Sequence, residues 1–370
     1  MKSNILKTGA LPTLLLAAWM PFTAQADSAV VGAVYTMSNE ADGNRVLMFD
    51  RDLGGKLSPA GHVLTGGLGS GDGLGNQGAV ILDPANRWLF VVNAGSNDIS
   101  VFRVEAHGLT LIDQESSGGQ RPISLTYAHN LLYVLNAGGA VGGSDNISGF
   151  HVAADGLLTP IPGSTRTLSA ADTGAAQVSF NSDGDVLMVT EKATNLIDTF
   201  TVAADGTPGA INTFVSNGTV PFGFGFGKRN QVFVSEAASG SVSSYHVGED
   251  GSLSTISLSV PTTEAAACWV VVSNDGRYAY TTNAGSDSIS GYVVGFDGRI
   301  ALLDANGVTG NTGKNTGPLD MVISSDGRNL YSLNGRSDTI GVFAIKDKGG
   351  LAAKNANIAV PATANGLAVR

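Results

Sequence analysis

Cysteine is almost absent from this 370-residue chain, Cys268 standing alone. No intramolecular disulfide can form and no CxxC pair exists for redox or metal chemistry, so stability has to come from packing. In its apolar strand context Cys268 reads as a buried structural residue. Charge is scarce as well: Asp, Glu, Lys and Arg make up 14% of the chain, and the formal net charge is -10. No Lys/Arg cluster interrupts that acidity, and a surface of this sign repels a phosphate backbone, which argues against nucleic acid as a partner. Beyond the first residues no stretch reaches the roughly 20 apolar residues that a membrane helix needs, so no membrane span is expected. Five histidines (His62, His107, His129, His151, His246) are scattered without HExxH or comparable ligand spacing. No Asp-Gly pair sits in a D-x-[DN]-x-[DN]-G calcium loop, and no G-x-S-x-G elbow is present. Neither a metal nor another cofactor is expected.

What the chain has in abundance is glycine, 50 residues, beside an apolar fraction of 43% that is too high for disorder. A packed, turn-rich protein is indicated. The first residues read as an export signal: Lys2 and Lys7 supply the positive region, Leu11 to Phe22 the apolar stretch, and Ala24-Gln25-Ala26 the cleavage site. The reading divides the chain into a leader, 1–26, and one domain, 27–370, with a mature start at Asp27 and a secreted or periplasmic destination.

One phrase is written seven times: an apolar strand, a turn, a second strand ending in Asn or Glu, a Gly/Ser/Asn turn and a third strand. Clear copies are WLFVVNAGSNDISVFRV from Trp88, LLYVLNAGGAVGGSDNISGFHV from Leu131 and YAYTTNAGSDSISGYVV from Tyr278. Weaker copies start at Val186, Val232 and Leu330, and a seventh at Val31. Their spacing of roughly 45 residues falls in the range of four-stranded propeller blades. Apolar and polar residues alternate with period 2 inside each unit, the mark of half-buried strands. Asp-Gly turns recur at two matching places, at 183–184, 275–276 and 326–327 between first and second strands, and at 155–156, 205–206, 250–251 and 297–298 between third and fourth. The first unit lacks its innermost strand, and Ala364 to Arg370 is a lone strand at the other end. Slotting that tail into the first unit closes the ring and protects its edges, so the expected fold is an all-β, seven-bladed propeller.

In such a meander the starts of the innermost strands and the ends of the second strands meet at one mouth of the central channel. The second-strand ends carry Ser38, Asn93, Asn136, Glu191, Glu236, Asn283 and Asn334. The innermost starts carry Gln77, Arg121, Gln177, Phe222, Trp269 and Asp320. Asn before Ala-Gly is also an ordinary turn residue whose side chain satisfies nearby backbone. Glu191 and Glu236 stand out because they replace Asn in two adjacent blades, where a carboxylate facing the channel is costly unless paired or used. Lys192 or Arg121 is the expected partner. The glycine-rich run from Gly66 to Gly75 has no following helix and no GK[ST], so it reads as a flexible loop able to gate the mouth.

The blade phrases, with GNQGAVILDPANRWLFVVNAGSNDISVFRV, AACWVVVSNDGRYAYTTNAGSDSISGY and PIPGSTRTLS, resemble the lactonase-type seven-bladed propellers. This family includes 6-phosphogluconolactonase-like and carboxymuconate-cyclizing enzymes, and the likeness spans residues 30 to 370. It implies opening or closing of a lactone ring without a metal. In the family a Pro-Arg-His opening of an innermost strand and an Asn-Glu pair ending the next strand supply the active residues. Here the matching stretches are Ala175-Ala176-Gln177 and Glu191-Lys192. The resemblance therefore implies a rearranged catalytic set of Glu191, Glu236 and Lys192: one Glu as general base, with Arg121 or Lys192 holding the substrate carboxylate or oxyanion and Gln177 donating a hydrogen bond. Gln77, Asn93, Asn136, Asn283, Asn334, Trp269 and Asp320 complete the expected binding surface for a small molecule on a monomeric chain. The VVNAGSNDISVF phrase also resembles the YVTN-type repeats of surface propellers, which leaves a non-catalytic binding or envelope protein as the competing class.

Overall fold

The computed structural model describes Met1 and residues 29–370, with nothing said of the Asn355 side chain. The expected leader, Met1 apart, and the mature start at Asp27 lie outside the described residues. From Val30 onward the chain forms seven antiparallel sheets and, among the described residues, no α-helix, only two short 3-10 turns. Five sheets have four strands; the third and sixth each add a two-residue strand, Arg166–Thr167 and Gly310–Asn311, beside their third strand. Each innermost strand touches that of the next blade, and the seventh touches the first, so the sheets form a closed ring.

Closure occurs as the sequence implies. Asn365–Val369 pairs antiparallel with Val30–Met37, which is followed outward by Arg45–Asp52 and Leu57–Leu64. Side chains reinforce the seam: Thr363 Oγ1 donates to Ser38 O at 2.6 Å, and Thr36 Oγ1 to Asn365 O at 3.2 Å. Among the described residues no helix is long and apolar enough to cross a membrane.

Both Asp-Gly series sit where the sequence places them, with Gly184, Gly276 and Gly327 at φ between 70° and 76°, the left-handed region that glycine adopts without steric cost. The blades pack through the alternating apolar faces of their second and third strands. Phe90, Val91, Tyr133, Val134, Leu187 and Phe233 are fully buried, each removing apolar surface worth roughly 1.5–3 kcal/mol. Tyrosines stitch neighbouring blades. Tyr280 and Tyr331 donate their hydroxyls to Gly349 O (2.9 Å) and Gly55 O (3.1 Å), in the outer hairpin of the following blade, and Tyr133 does the same to Gly206 O. Burial raises the pKa of all three phenols, so they remain neutral donors.

Candidate functional site

A repeated local device builds the mouth. The residue just before the innermost strand adopts left-handed geometry in blades three to seven: Arg121, Gly174, Val220, Ala266 and Gly317 have φ between 53° and 62°. In three of these the exposed N–H is capped by a turn residue of the preceding blade. Asn97 Oδ1 accepts from Arg121 N (2.7 Å), Asn195 Oδ1 from Val220 N (2.7 Å) and Asp287 Oδ1 from Gly317 N (2.8 Å). For β-branched Val220 this backbone is sterically unfavourable, and the cap helps to hold it. In these three turns the Asn or Asp thus fixes where the next blade begins.

The polar ring at the second-strand ends is fully buried and engaged within the blades. Asn93 donates to Asp98 Oδ1 (2.6 Å) and Ser100 Oγ (2.8 Å), and Asn283 to Ser288 Oγ (3.0 Å) and Ser290 Oγ (2.8 Å). Asn136 reaches Asn146 and Ser148 in the same way, and Asn334 reaches Thr339. Glu191 and Glu236 share this orientation toward the third strand and connecting loop instead of facing the channel. Glu236, 0% exposed, accepts from Gly218 N (2.8 Å), Ser241 Oγ (2.7 Å), Ser243 Oγ (2.5 Å) and Ser259 Oγ (2.5 Å). Glu191, also 0% exposed, accepts from Ser169 N (3.0 Å), Ser169 Oγ (2.5 Å) and Thr194 Oγ1 (2.5 Å). Behind Glu191 lies Asp198, whose carboxyl is pushed up to about 8, first by burial and then by the hydrogen bond to Glu191 and its charge. Thr213 and the Ser169 backbone pull the other way, more weakly.

The glycine-rich run does not swing free. Gly69 N and Gly71 N donate to Glu40 O and Asn39 O (both 2.9 Å), and Leu68 O accepts from Gly95 N (2.9 Å). A Cβ on Gly69 would fall 2.1 Å from the Asn39 carbonyl carbon, so only glycine permits this approach. The run continues inward as a strap, and residues 75–78 enter the channel. Gln77 N donates to Ala176 O (3.2 Å) in the fourth blade. The Gln77 carboxamide pairs with Val270 like a piece of strand, Nε2 to Val270 O (2.7 Å) and Oε1 from Val270 N (3.0 Å). Gln177 makes the same double contact with Phe224 (3.0 and 2.7 Å). Trp269 Nε1 donates to Asn76 O (2.6 Å). Asp320 accepts from Met321 N (2.9 Å) and Leu367 N (3.3 Å) and also bonds Gly78; burial pushes its carboxyl up to about 7. Gln77, Gln177, Trp269 and Asp320 therefore come together around the inserted segment, each holding backbone.

Two cations sit above that plug. Arg121 Nη2 donates to Gly73 O (3.4 Å), and Lys192 Nζ to Gly75 O and to Ala175 O (2.9 Å). Lys192 lies 5.0 Å from the centroid of Phe222, which packs against Trp269 at 4.7 Å. Desolvation beside these rings is the main cause that brings the amine down to about 8, with Arg121 adding to the effect. Cys268 belongs to the same cluster and is buried, its thiol pushed up to about 12 by desolvation. Lys192 occupies the turn position that holds Ala94, Ala137, Ala237, Ala284 or Gly335 in other blades. A column-by-column comparison of the repeats also singles out Arg336, which replaces Gly95, Ala193, Ala238 or Gly285. Arg336 and Asn365, absent from the sequence-derived set, line a pocket of about 340 Å³ at the same mouth. Nothing in the pattern of the tail strand marks Asn365. Among the described residues no group of three or more His, Cys, Asp or Glu is placed to hold a metal ion.

Comparison with known structures places the chain among propellers of this build. A protein from Bacteroides fragilis assigned as a 6-phosphogluconolactonase superposes with a TM-score of 0.72 at 18% identity, over 94% of this chain and 99% of its own. The periplasmic gluconolactonase of Pseudomonas aeruginosa gives 0.74 at 18% identity, over 91% and 98%. The virginiamycin B lyase of Staphylococcus aureus is more distant, at 0.54 and 13% identity over 75% and 84%. Such identities establish a shared fold and nothing finer. No curated protein matches the sequence. The model of the lactonase seven-bladed β-propeller family does match, over residues 31–167, 161–270 and 254–365. On that match, which runs through all seven blades, the chain belongs to the lactonase family of seven-bladed β-propellers.

Proposed function

We propose that this chain hydrolyses, or in reverse forms, a lactone of a sugar acid or aromatic-derived acid at the channel mouth, with Lys192 moving the proton. The observation that carries this reading is the single lysine in a column that is Ala or Gly in five blades and Asn39 in the first, held over Phe222 with its amine brought down to about 8. Near neutrality such an amine is partly unprotonated and lies close to the pKa that suits general acid–base work. As free base it removes a proton from the water that attacks the lactone carbonyl. The ring C–O bond then breaks, and the ammonium returns the proton to the departing ring oxygen, giving a hydroxy acid. Arg121, beside it, supplies the fixed positive charge for the oxyanion. The carbonyl oxygens of Gly73 and Gly75 now face these cations, and a substrate oxygen would replace Gly73 O at Arg121. In this reading Glu191 and Glu236 position the mouth through their loop contacts. The family membership supports the reaction class, and the export-signal reading of residues 1–26 supports action outside the cytoplasm.

The experiment is a lactone panel followed by acid release across pH 6 to 9. Lys192→Met is expected to lower kcat by about 10²–10⁴, the usual contribution of one acid–base group, and parent activity is expected to rise toward a plateau above pH 8. The Glu191→Gln/Glu236→Gln pair keeps turnover if Lys192 is the base. Loss of turnover in a folded double Gln variant, with Lys192→Met active, would return the role to a glutamate. One observation favours a non-catalytic protein: Glu191, Glu236, Gln77 and Gln177 are already occupied by protein donors or acceptors. Affinity without turnover across the panel would establish that class.

A further inference from the structure

Across the strap from Lys192, the mouth holds the pocket of about 340 Å³ between the sixth, seventh and first blades. That size lies within the roughly 300–1,000 Å³ of small-molecule sites. Its walls mix two characters. Leu319, Ala284 and Ala364 give an apolar side, whereas Arg336, Asp72 and Asn365 bring polar groups. Asn365 is the unusual member. It is only 7% exposed, yet its Oδ1 is buried without a partner and its Nδ2 donates to no described group. An unpaired buried carbonyl oxygen costs about 1–3 kcal/mol, and the Nδ2, which is not among the buried unpaired atoms, is left as a free donor on the pocket wall.

The charge balance narrows what that ligand is. Arg336 is already steadied by Asp287 Oδ1 (3.3 Å) and by the Ala284 carbonyl (2.5 Å), and Asp72 on the strap brings an opposing charge to the rim. There is no surplus of cations here to repay desolvation of a phosphate or a second carboxylate. A carboxamide nitrogen that donates, an aspartate that accepts and an arginine that donates match neighbouring hydroxyl groups, while Leu319 and the alanines suit a ring's C–H face. We infer that this pocket is a binding site for an uncharged, hydroxyl-rich ring, with Asn365 as its central contact. The inference does not require Lys192 to be catalytic. If the lactonase reading holds, the pocket seats the part of the substrate remote from the scissile bond.

The test uses the described chain and three stable probes in titration calorimetry: glucose, gluconate and 6-phosphogluconate. Glucose is expected to bind, and 6-phosphogluconate to gain nothing from its added charge. Asn365→Ala removes no hydrogen bond from the free protein, so its Tm should stay level or rise, while glucose affinity falls about tenfold, the value of one well-placed hydrogen bond. Leu319→Trp, which fills the pocket, should abolish binding without unfolding the chain. Equal glucose affinity in the parent and both variants would overturn the site, as would no binding of any probe, or Arg336-dependent binding of 6-phosphogluconate tighter than that of glucose. Lys192→Met separates the two readings: it should leave glucose affinity unchanged whether or not it stops turnover.

Discussion

The fourth and fifth blades carry the same residue at the same place and treat it differently. Glu236 is surrounded by donors: one backbone N–H and hydroxyls from Ser241, Ser243 and Ser259, with Ser216 farther off at 3.4 Å. A fully buried carboxylate can carry its charge without a cation when enough donors converge on it. Glu191 has the loop contacts from Ser169 and Thr194, but its third-strand neighbour is Asp198, where Ser100, Ser148, Ser243 and Ser290 stand in other blades. Burial and the neighbouring Glu191 then favour the protonated form of Asp198, against a smaller opposite pull from Thr213 and the Ser169 backbone. One substitution in the third strand converts a satisfied anion into a protonation-sensitive pair, one residue from Lys192.

The contrast can be broken most forcefully at Glu236. Glu236→Ala strands at least four donors at once and should cost about 3–5 kcal/mol, whereas Glu191→Ala also relieves the acid pair and should cost about half as much; urea titrations of the two variants give the ranking. A smaller effect concerns pH. Because the Asp198 carboxyl is raised from 3.8 to about 8, its protonated form contributes stability that is complete below about pH 3.8 and is lost as pH rises through about 8. Asp198→Asn keeps a hydrogen-bond donor for Glu191 and cannot ionise. Its Tm should match the parent near pH 4 and exceed it increasingly toward pH 8; parallel melting curves would sink the idea. The smallest change is Thr194→Val, which removes one of Glu191's donors at a cost of about 1 kcal/mol and should leave the fifth blade untouched.

Most of the architecture was legible because it is repeated: seven phrases, two series of Asp-Gly turns and an orphan tail strand leave little freedom. The mouth was less so, and the reason is local. In the third to seventh blades, pairing between the innermost and second strands shifts register at the mouth, between Pro122 and Ser124, Ala175 and Gln177, Pro221 and Phe224, Ala267 and Val270, and Pro318 and Met321. A bulge removes the period-2 rule that assigns faces. Alternation alone therefore could not show that Glu191 and Glu236 turn toward the third strand while Lys192, one residue on, reaches the strap. The strap was hidden for another reason: a run of glycines has no periodicity, so its path into the channel depends on contacts with distant blades, such as Gln77 with Val270.

The seam in the first blade also sets an order of events. During synthesis, blades two to seven can each assemble from residues already made, but Val30–Met37 must wait for Asn365–Val369, more than three hundred residues later. Contacts so far apart in the chain form late and slowly. A product cut short before Asn365 would keep most of its sheets yet present an unclosed edge, so whether Asn365–Val369 has been made decides between a closed ring and a sticky one.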